Sequence, residues 1–305
     1  MASLTEFDVQ RRMCGGRVLL RVRLSCDEIA WVTEPCPLFV LAPRLAYLPF
    51  FFHEVFEHFK AFVPPLIGQS YELWFDYAGV PLRWHYPIGV LVDVLVGTEV
   101  PTPLDLTVHF RGGPAKEVLP FSGIGDLKNA VMSAIRQAVF LQHGSATPWS
   151  KLPMQQQQRL WDAIKTADLE GCCAIRRSLL CESLSRCKGL PVRVHLGGAA
   201  AKHTVLLHPA PAFQSDDAGG ALVSVGGFLS SVLPPLVDER AGHFSVVEGV
   251  EVIAHGIHIP LETPLYWIAL HASYLDQFVH LVVRLPSANP TPLSPTCDAG
   301  GGLGT

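Results

Sequence analysis

The sequence predicts an α+β protein in which two sheet domains flank a helix-rich segment. Short stretches near both ends of the chain alternate apolar and polar residues, which is typical of half-buried strands. Between them, from Asp126 to Ser185, apolar residues follow the spacing of buried helix faces. Apolar residues make up 49% of the 305 residues, so the chain can bury a sizeable core.

The N-terminal domain, predicted at residues 17–112, is organised around the stretch from Trp74 to Leu95. The first strand of that stretch ends at a turn marked by Gly79 and Pro81, and Pro87 suits the first turn of the helix that follows. Alternation predicts strands at residues 17–24, 37–42, 73–77, 82–84 and 106–110, and helical spacing predicts helices at residues 53–62 and 88–95. This order is that of the ubiquitin-like β-grasp, in which helix covers one face of a sheet.

The C-terminal domain, predicted at residues 190–285, has a similar order. Strands are predicted at residues 192–196, 204–208, 250–254 and 278–285, and helices at residues 224–233 and 264–270. The Gly, Pro and Leu pattern that starts at Gly79 has a counterpart that starts at Gly256 and precedes the second of these helices. The helix-rich domain covers residues 113–189, an N-terminal arm or helix covers residues 1–16, and residues 286–305 are expected to be a disordered tail rich in Pro, Ser, Thr and Gly.

Composition narrows the classes of function. A formal net charge of −4 argues against a general nucleic-acid binder, which is usually basic. No leader pattern opens the sequence and no apolar run reaches the ~20 residues of a membrane span, so we expect neither a signal peptide nor a membrane helix. The eight cysteines are therefore expected to be reduced thiols of a cytosolic protein.

The motifs that would carry chemistry are absent or incomplete. Residues 197–202 resemble a phosphate-binding loop, but Ala201 stands where its second glycine must be. His255 and His258 flank a turn, and such a pair is expected by chance among 13 histidines. No Gly-x-Ser-x-Gly motif occurs. The sequence therefore predicts no catalytic residue and no cofactor-binding residue.

Two further groups of residues are explained more simply by packing than by ligands. Four cysteines lie close together, but no two-residue spacer joins any pair, so we expect small side chains in a helical bundle and no metal site. They are Cys172, Cys173, Cys181 and Cys187. Four tryptophans lie in or beside apolar runs and are expected in the core. They are Trp74, Trp84, Trp161 and Trp267.

Several long motifs resemble, in the same order, those of the autophagy protein 5 family. The longest reads Trp74-Phe-Asp-Tyr-x-Gly-x-Pro-Leu-Arg-Trp-His-Tyr-Pro-Ile-Gly-x-Leu. The others are Cys26-Asp-Glu-Ile29, Leu41-Ala-Pro-Arg44 with Tyr47-Leu48, Leu106-Thr-Val-His-Phe110, His255-Gly-Ile-x-x-x-Leu-Glu-Thr-Pro-Leu-x-Trp267 and Ser273-Tyr-x-Asp-x-Phe-x-His280. The similarity covers residues 13–285, with gaps at the loops.

The resemblance implies two ubiquitin-like domains around a helix-rich domain, in agreement with the pattern of the elements. It implies an autophagy scaffold that joins the ubiquitin-like autophagy protein 12 and the coiled-coil autophagy protein 16 in an E3-like complex. Such a complex promotes transfer of autophagy protein 8 from its E2-like enzyme to phosphatidylethanolamine in autophagosome formation. The chain itself is then non-catalytic, cytoplasmic and recruited peripherally to the membrane of the phagophore assembly site. A groove among the three domains is expected to receive an amphipathic helix of autophagy protein 16.

One position departs from the family. The family's acceptor lysine for autophagy protein 12 stands in a Met-Ser-x-x-Lys context, where this chain has Met132-Ser-Ala-Ile-Arg136. A guanidinium stays protonated and is no amine nucleophile, so Arg136 cannot form an ordinary isopeptide bond. The nearest lysine, Lys128, would lie about 12 Å away along a helix and about 80° around it, which makes it a poor geometric substitute.

The sequence leaves alternatives open. Arginine at position 136 can reflect drift in a chain where seven of the 23 basic residues are lysines, or it can mean that autophagy protein 12 binds here without a covalent bond. A further account is a degenerate paralogue without autophagy activity. A reading from another class is a β-grasp enzyme or small-molecule-binding protein with an unrecognised pocket.

Overall fold

The computed structural model describes residues 6–30, 34–65, 71–179, 186–198, 203–212, 221–240 and 243–285. Helix α1 (Glu6–Cys14) comes first, and the N-terminal domain follows in the predicted order. Its elements are β1 (Arg17–Leu24), β2 (Leu38–Pro43), α2 (Phe52–Phe59), β3 (Trp74–Tyr77), β4 (Val80–Pro81), α3 (Ile88–Leu95) and β5 (Leu104–His109). The expected tail at residues 286–305 lies outside the described residues.

The rest of the chain forms a helical middle and a second sheet domain. The middle consists of α4 (Ile124–His143), α5 (Thr147–Lys151), α6 (Met154–Lys165) and α7 (Leu169–Arg176). The C-terminal domain consists of β6 (Leu190–Gly197), β7 (Thr204–Ala210), α8 (Val225–Val232), β8 (Val237–Arg240), β9 (His243–Val246), β10 (Glu251–Ala254), β11 (Ile257–His258), α9 (Leu265–His271) and β12 (Val279–Arg284). No helix among the described residues is long and apolar enough to cross a membrane.

The two main sheets have the same topology. The N-terminal sheet has the strand order β2-β1-β5-β3-β4, and the C-terminal sheet has the corresponding order β7-β6-β12-β10-β11. In each sheet the first and last strands of the domain pair in parallel at the centre, and the other pairs are antiparallel. This is the predicted β-grasp arrangement, so the α+β class with two ubiquitin-like domains around helices is confirmed. The β8–β9 hairpin, inserted before β10, was not predicted.

Burial explains why these segments fold as they do. In β1, the residues Val18, Leu20, Val22 and Leu24 are buried, because alternation places all four on the face that the helices cover. Helix α4 buries the stripe that contains Leu127, Val131 and Ile135, and this stripe joins the core of the N-terminal domain. The C-terminal domain has a core of its own. The helical middle therefore packs as an extension of the first domain.

The prediction for the tryptophans holds for two of the four. Trp84 and Trp161 are buried in the core. Trp267, on α9, is 39% exposed, so its predicted core position is wrong. Trp74 is half-buried and stacks on the ring of His109, with a centroid distance of 3.9 Å. An apolar run alone does not say which face of an element a residue occupies, and both of these side chains lie on outer faces.

Three of the sequence motifs meet at His109. Its Nε2 lies 2.6 Å from the Asp76 carboxylate, and its Nδ1 lies 3.7 Å from the carboxylate of Glu28. Glu28 also accepts a hydrogen bond of 2.8 Å from the backbone N–H of Phe110. Burial alone would lower the pKa of His109, but the hydrogen bonds to Asp76 and Glu28 outweigh it and raise the pKa to about 9. A cationic imidazole between two carboxylates thus ties β5 to β3 and to the loop after β1.

A buried ion pair of the N-terminal domain is hydrogen-bonded to the C-terminal domain. Arg44, just after β2, contacts the carboxylate of Asp93 on α3, and Asp93 is fully buried. The other oxygen of Asp93 accepts a hydrogen bond of 3.1 Å from the backbone N–H of Gly256, in the β10–β11 turn of the C-terminal domain. Arg44 also donates to the carbonyl of Gly89 at 3.1 Å. We call this set of contacts, formed by Arg44, Asp93, Gly89 and Gly256, the interdomain clamp.

The clamp leads to a prediction about two matched glycines. Gly79 and Gly256 occupy equivalent turns with φ of +80° and +81°, so an Ala substitution strains both backbones alike, by ~1–2 kcal/mol. A Cβ at position 79 would have no neighbour within 4 Å, whereas one at position 256 would lie 3.0 Å from Cζ of Arg44. We expect Gly256→Ala to lower the free energy of unfolding by a further ~1–3 kcal/mol relative to Gly79→Ala, as measured by urea denaturation. Equal losses of unfolding free energy in the two variants would show that contact with Arg44 adds nothing to the cost of a Cβ at position 256.

The His109 cluster leads to a prediction about pH. The pKa of His109 is about 9 in the folded chain and 6.5 as a reference, so its stabilisation is complete below pH 6.5 and is lost as the pH rises through 9. We expect the free energy of unfolding of the wild type to fall over this window relative to that of His109→Gln. The control is His53→Gln, at an exposed histidine of α2, which should keep the wild-type slope. Parallel curves for wild type and His109→Gln would contradict the assignment.

Candidate functional site: a groove among three domains

A groove with a volume of about 280 Å³ lies where the two sheet domains meet the helical middle. All three parts of the chain contribute to its wall. The lining residues are Tyr47, His85 and Tyr86 from the N-terminal domain, Ala130, Val131, Ala134 and Gln137 from α4, and Arg193, Val205, Leu207 and Asp276 from the C-terminal domain. We call it the three-domain groove.

Two walls of the three-domain groove are apolar. On one side α4 presents the small side chains Ala130 and Ala134, which allow another backbone to approach closely. On the other side lie Val205 and Leu207 of β7, and Leu207 is 43% exposed although it is a large apolar residue. Among the described residues β7 pairs only with β6, so β7 is an edge strand. These walls offer apolar contact to an elongated partner.

The polar end of the groove is a largely buried network of hydrogen bonds. Arg193 donates to the carboxylate of Asp276 at 3.0 Å, and its guanidinium lies 3.9 Å over the ring of Phe278. His280 lies 3.1 Å from the same carboxylate. Burial would raise the pKa of Asp276, but His280 and Arg193 lower it below its ordinary value. Asp276 is therefore ionised at neutral pH and its charge is balanced within the protein.

A chain of three histidines extends this network. The Nε2–H of His280 faces a carboxylate and must donate to it, so its Nδ1 accepts from Nε2 of His195 at 2.8 Å. Nδ1 of His195 in turn accepts from Nε2 of His203 at 2.9 Å. Burial lowers the pKa of all three, and that of His203 falls to about 4. The three histidines are therefore neutral at physiological pH. The rings of His195 and His203 pack against the ring of Tyr86 from the other domain.

The lining offers little for catalysis. None of its residues is a serine, threonine, cysteine or lysine. Burial raises the pKa of the phenols of Tyr47 and Tyr86, and burial together with Arg83 and Arg193 lowers the pKa of His85 to about 4. In the part of the chain that the structure describes, no three or more His, Cys, Asp or Glu residues are placed to hold a metal ion.

The two residues that the sequence singled out for conjugation lie on different faces of α4. Arg136 is exposed, and Phe140, one turn further on, is 52% exposed. Lys128 is half-buried, and its Nζ donates to Oε1 of Gln158 on α6 at 2.9 Å. The helix thus turns Arg136 to solvent and Lys128 towards α6. Gln137, the next residue along the helix, lines the three-domain groove, whereas Arg136 does not.

A second cavity of about 310 Å³ lies away from this junction. It is formed by Trp74, Trp84 and the segment 113–122, which leads from the N-terminal domain towards α4. Trp84 donates from Nε1 to the carbonyl of Leu119 at 2.7 Å, which fixes the segment against the domain. The C-terminal domain contributes no residue to this cavity.

The weaker sequence candidates are not brought together. His255 is buried, lies 2.7 Å from the carbonyl of Ala272 and stacks on Tyr274, whereas His258 is exposed and lies 3.2 Å from Thr98. Cys172 and Cys173 are buried, and burial raises the pKa of Cys172 to about 12. Cys181 and the loop residues 199–202 lie outside the described residues.

Sequence patterns alone did not single out Arg193, Val205 and Leu207 as groove residues. No sequence signal pointed to them, because His280 and Arg284 share one face of β12 as in a half-exposed strand, yet five of the six side chains of this strand are buried. Burial on both faces of a strand requires a second covering layer. The second cover here is the N-terminal domain, and that contact creates the groove.

Comparison with known proteins agrees with this architecture. Three family models match successive parts of the chain. They are "Autophagy protein ATG5, UblA domain" at residues 13–110, the alpha-helical bundle region of the same protein at residues 125–181, and its UblB domain at residues 189–283. A crystal structure of Kluyveromyces marxianus Atg5 has the same fold, with a TM-score of 0.75 at 23% identity over 90% of this chain and 99% of that one.

Curated relatives agree along most of the chain. "Autophagy protein 5" of Drosophila melanogaster is 30% identical over 278 residues, which are 90% of this chain and 96% of that protein. The Aspergillus clavatus protein of the same name is 25% identical over 91% of this chain and 97% of its own length. The match to the protein from Oryza sativa subsp. indica is 34% identical but spans only 54% of this chain and 42% of that relative. The chain belongs to the autophagy protein 5 family.

Proposed function

We propose that this chain is a non-catalytic scaffold of autophagosome formation. It holds autophagy protein 12 and autophagy protein 16 in an E3-like complex that promotes lipidation of autophagy protein 8 with phosphatidylethanolamine. Family membership supports the role in autophagy. In this proposal the chain works in the cytoplasm, and its partners recruit it to the phagophore membrane.

The observation that carries the proposal is the three-domain groove. An amphipathic helix of autophagy protein 16 would lay its apolar face between the alanines of α4 and Leu207 of β7. Arg193 and Asp276 already balance each other's charge, so a charged residue of the partner helix would find no unbalanced charge there. Specificity for the helix would therefore come from shape and apolar contact. The absence of serine, threonine, cysteine and lysine from the lining favours this binding role over the enzyme alternative.

A charge placed on the groove wall tests this proposal. We expect Leu207→Asp to weaken binding of the N-terminal helix of the cognate autophagy protein 16 by about tenfold or more, which is about 1.4 kcal/mol by calorimetry. The control is Ile257→Asp, because Ile257 is similarly exposed and lies on the opposite edge strand of the same sheet. Unchanged affinity of the Leu207→Asp variant would mean that the helix binds to another surface of the protein.

The exposed face of α4 is the proposed contact for autophagy protein 12. Arg136 and Phe140 lie one turn apart on this face and give it a cation beside an exposed aromatic ring. We propose that autophagy protein 12 docks here without a covalent bond, because a guanidinium supplies no amine nucleophile. An interface of ~1,600 Å² can hold nanomolar affinity without such a bond. Lys128, which is engaged with Gln158, points to a different face of the helix.

The test is a denaturing gel of the native complex. We expect two separate bands from a complex that co-elutes in native chromatography. We also expect Phe140→Ser to weaken that complex while Met154→Ser, at an exposed apolar residue of α6, leaves it intact. A single band at the summed mass that disappears in Lys128→Arg would show that conjugation uses Lys128. A summed band that survives this change would point to another lysine, and either summed band would overturn the non-covalent proposal.

The variant Arg136→Lys distinguishes two explanations for a missing covalent bond. Either only the amine nucleophile has been lost, or the whole conjugation site has been lost. With the conjugation enzymes present, Arg136→Lys should restore the summed band if the surface around position 136 is otherwise intact. Failure of Arg136→Lys to form the band, in a complex that still co-elutes, would show that the reacting end of autophagy protein 12 does not reach this face.

A further inference from the structure

Strand β2 leaves one edge of the N-terminal sheet open. Among the described residues its only strand partner is β1. The strand Leu38–Pro43 contains no charged residue, and Pro37 stands immediately before it. Edge strands in natural proteins are usually guarded by charges, bulges or a covering element, because a bare edge pairs with other chains. Between Pro37 and Pro43, β2 therefore has no charged side chain that would keep another strand from pairing with it.

The ladder shows which backbone groups face the open edge. The N–H of Arg44 donates to the carbonyl of Gly16 at 2.9 Å, so the backbone hydrogen-bonding groups of residue 44 point towards the β1 side of the strand. Residues alternate in direction along an antiparallel strand, so Val40 and Ala42 also bond towards β1. Phe39 and Leu41 therefore direct their N–H and C=O groups away from β1. Pro43 ends this row because it has no N–H.

The side chains of the same two residues are also uncovered. Phe39 is 53% exposed and Leu41 is 55% exposed, and both lie on the outer face of the sheet. Leu19 of β1 is the register partner of Leu41 and lies half-buried on that face. An incoming strand would therefore find free hydrogen-bonding groups and an apolar stripe at the same two positions.

The charge on this face is positive. Arg17, Arg21 and Arg23 alternate along β1 on the same outer side as Phe39 and Leu41. The charged residue of β5 beside them is Asp105, which is bound by Arg21 and lies 3.7 Å from Nε of Arg23. Three guanidinium groups thus face one carboxylate next to the open edge. A second copy of this chain would bring a second set of the same cations, whereas acidic residues would neutralise them.

We propose that β2 is a docking edge for an extended peptide segment of a partner protein, which pairs with Phe39 and Leu41 as a sixth strand. Every second residue of the segment faces the same side of the sheet as Phe39 and Leu41, and these outward residues include both apolar and acidic side chains. Its apolar side chains extend the stripe of Phe39, Leu41 and Leu19, and its acidic residues neutralise the arginines of β1. Main-chain hydrogen bonds supply affinity and the side chains supply specificity, as in other cases of strand addition. This edge is separate from the three-domain groove and from Arg136, so the inference is independent of the function proposed above.

The test uses two fluorescent synthetic peptides of the same length in which every second residue is threonine. The residues between the threonines share one face of the strand, and they are valine and glutamate in one peptide (the glutamate peptide) and valine and lysine in the other (the lysine peptide). We expect the glutamate peptide to bind the full chain, and the lysine peptide to bind about tenfold more weakly or not at all. The double variant Phe39→Ser with Leu41→Ser should weaken the glutamate peptide by about tenfold or more. Leu41→Pro, which removes an edge-facing N–H without removing a bond to β1, should do the same. Val80→Ser, at the exposed residue on the opposite edge strand β4, should leave binding unchanged.

Several results would overturn the proposal. One is the absence of binding of the glutamate peptide at concentrations up to roughly 1 mM, the weak end of specific affinities. Another is binding that survives both Phe39→Ser with Leu41→Ser and Leu41→Pro in variants that unfold in urea like the wild type. Binding to phosphatidylserine vesicles in place of the peptide, lost in the double variant, would assign the face to a membrane. Self-association in sedimentation that is lost in the same variant would assign it to a second copy of the chain.

Discussion

The relative position of the two sheet domains depends on the interdomain clamp. Asp93 is fully buried and its pKa is raised by burial to about 6, while Arg44 and the N–H of Gly256 act in the opposite direction. Burying such a pair costs desolvation free energy, which the additional hydrogen bonds to Gly89 and Gly256 help to offset. Removal of one partner from a buried pair typically costs ~3–5 kcal/mol. The hydrogen bond from Gly256 therefore ties the C-terminal domain to a buried ion pair of the N-terminal domain.

The three-domain groove follows from that arrangement. Because the clamp holds the β10–β11 turn against α3, the outer face of β6 and β12 lies against Tyr86. The hydrogen-bonded side chains that link Asp276 to His203 are buried at this contact. The motifs that carry the family resemblance supply the His109 cluster, three residues of the clamp (Arg44, Gly89 and Gly256) and two residues of this network (Asp276 and His280). They specify how the domains fit together, and none of them brings a nucleophile to the groove.

Much of the fold was predictable because local patterns determine it. The alternation of Val18 with the arginines of β1 matches the structure, since this strand buries one face in its own domain. The helix predicted at residues 88–95 is also present, although α3 is buried on nearly all sides because the C-terminal domain packs against it as well. The groove was less predictable, because Arg193, Val205 and Leu207 owe their positions to contact between domains distant in sequence. Trp267 was misplaced for a related reason, since an apolar neighbourhood does not distinguish the inner face of α9 from its outer face. The resemblance identified Arg136 and Lys128, and the structure adds that they lie on different faces of α4.

The central claim is that a partner helix seats where the three domains meet. Hydrogen–deuterium exchange of the full chain, with and without the N-terminal helix of the cognate autophagy protein 16, tests it most directly. The account predicts slower exchange in β7 (Thr204–Ala210) and in residues 130–137 of α4, with exchange at residues 113–122 unchanged. Protection confined to residues 113–122 and the neighbourhood of Trp74, with β7 unaffected, would contradict it and place the helix in the cavity of the N-terminal domain.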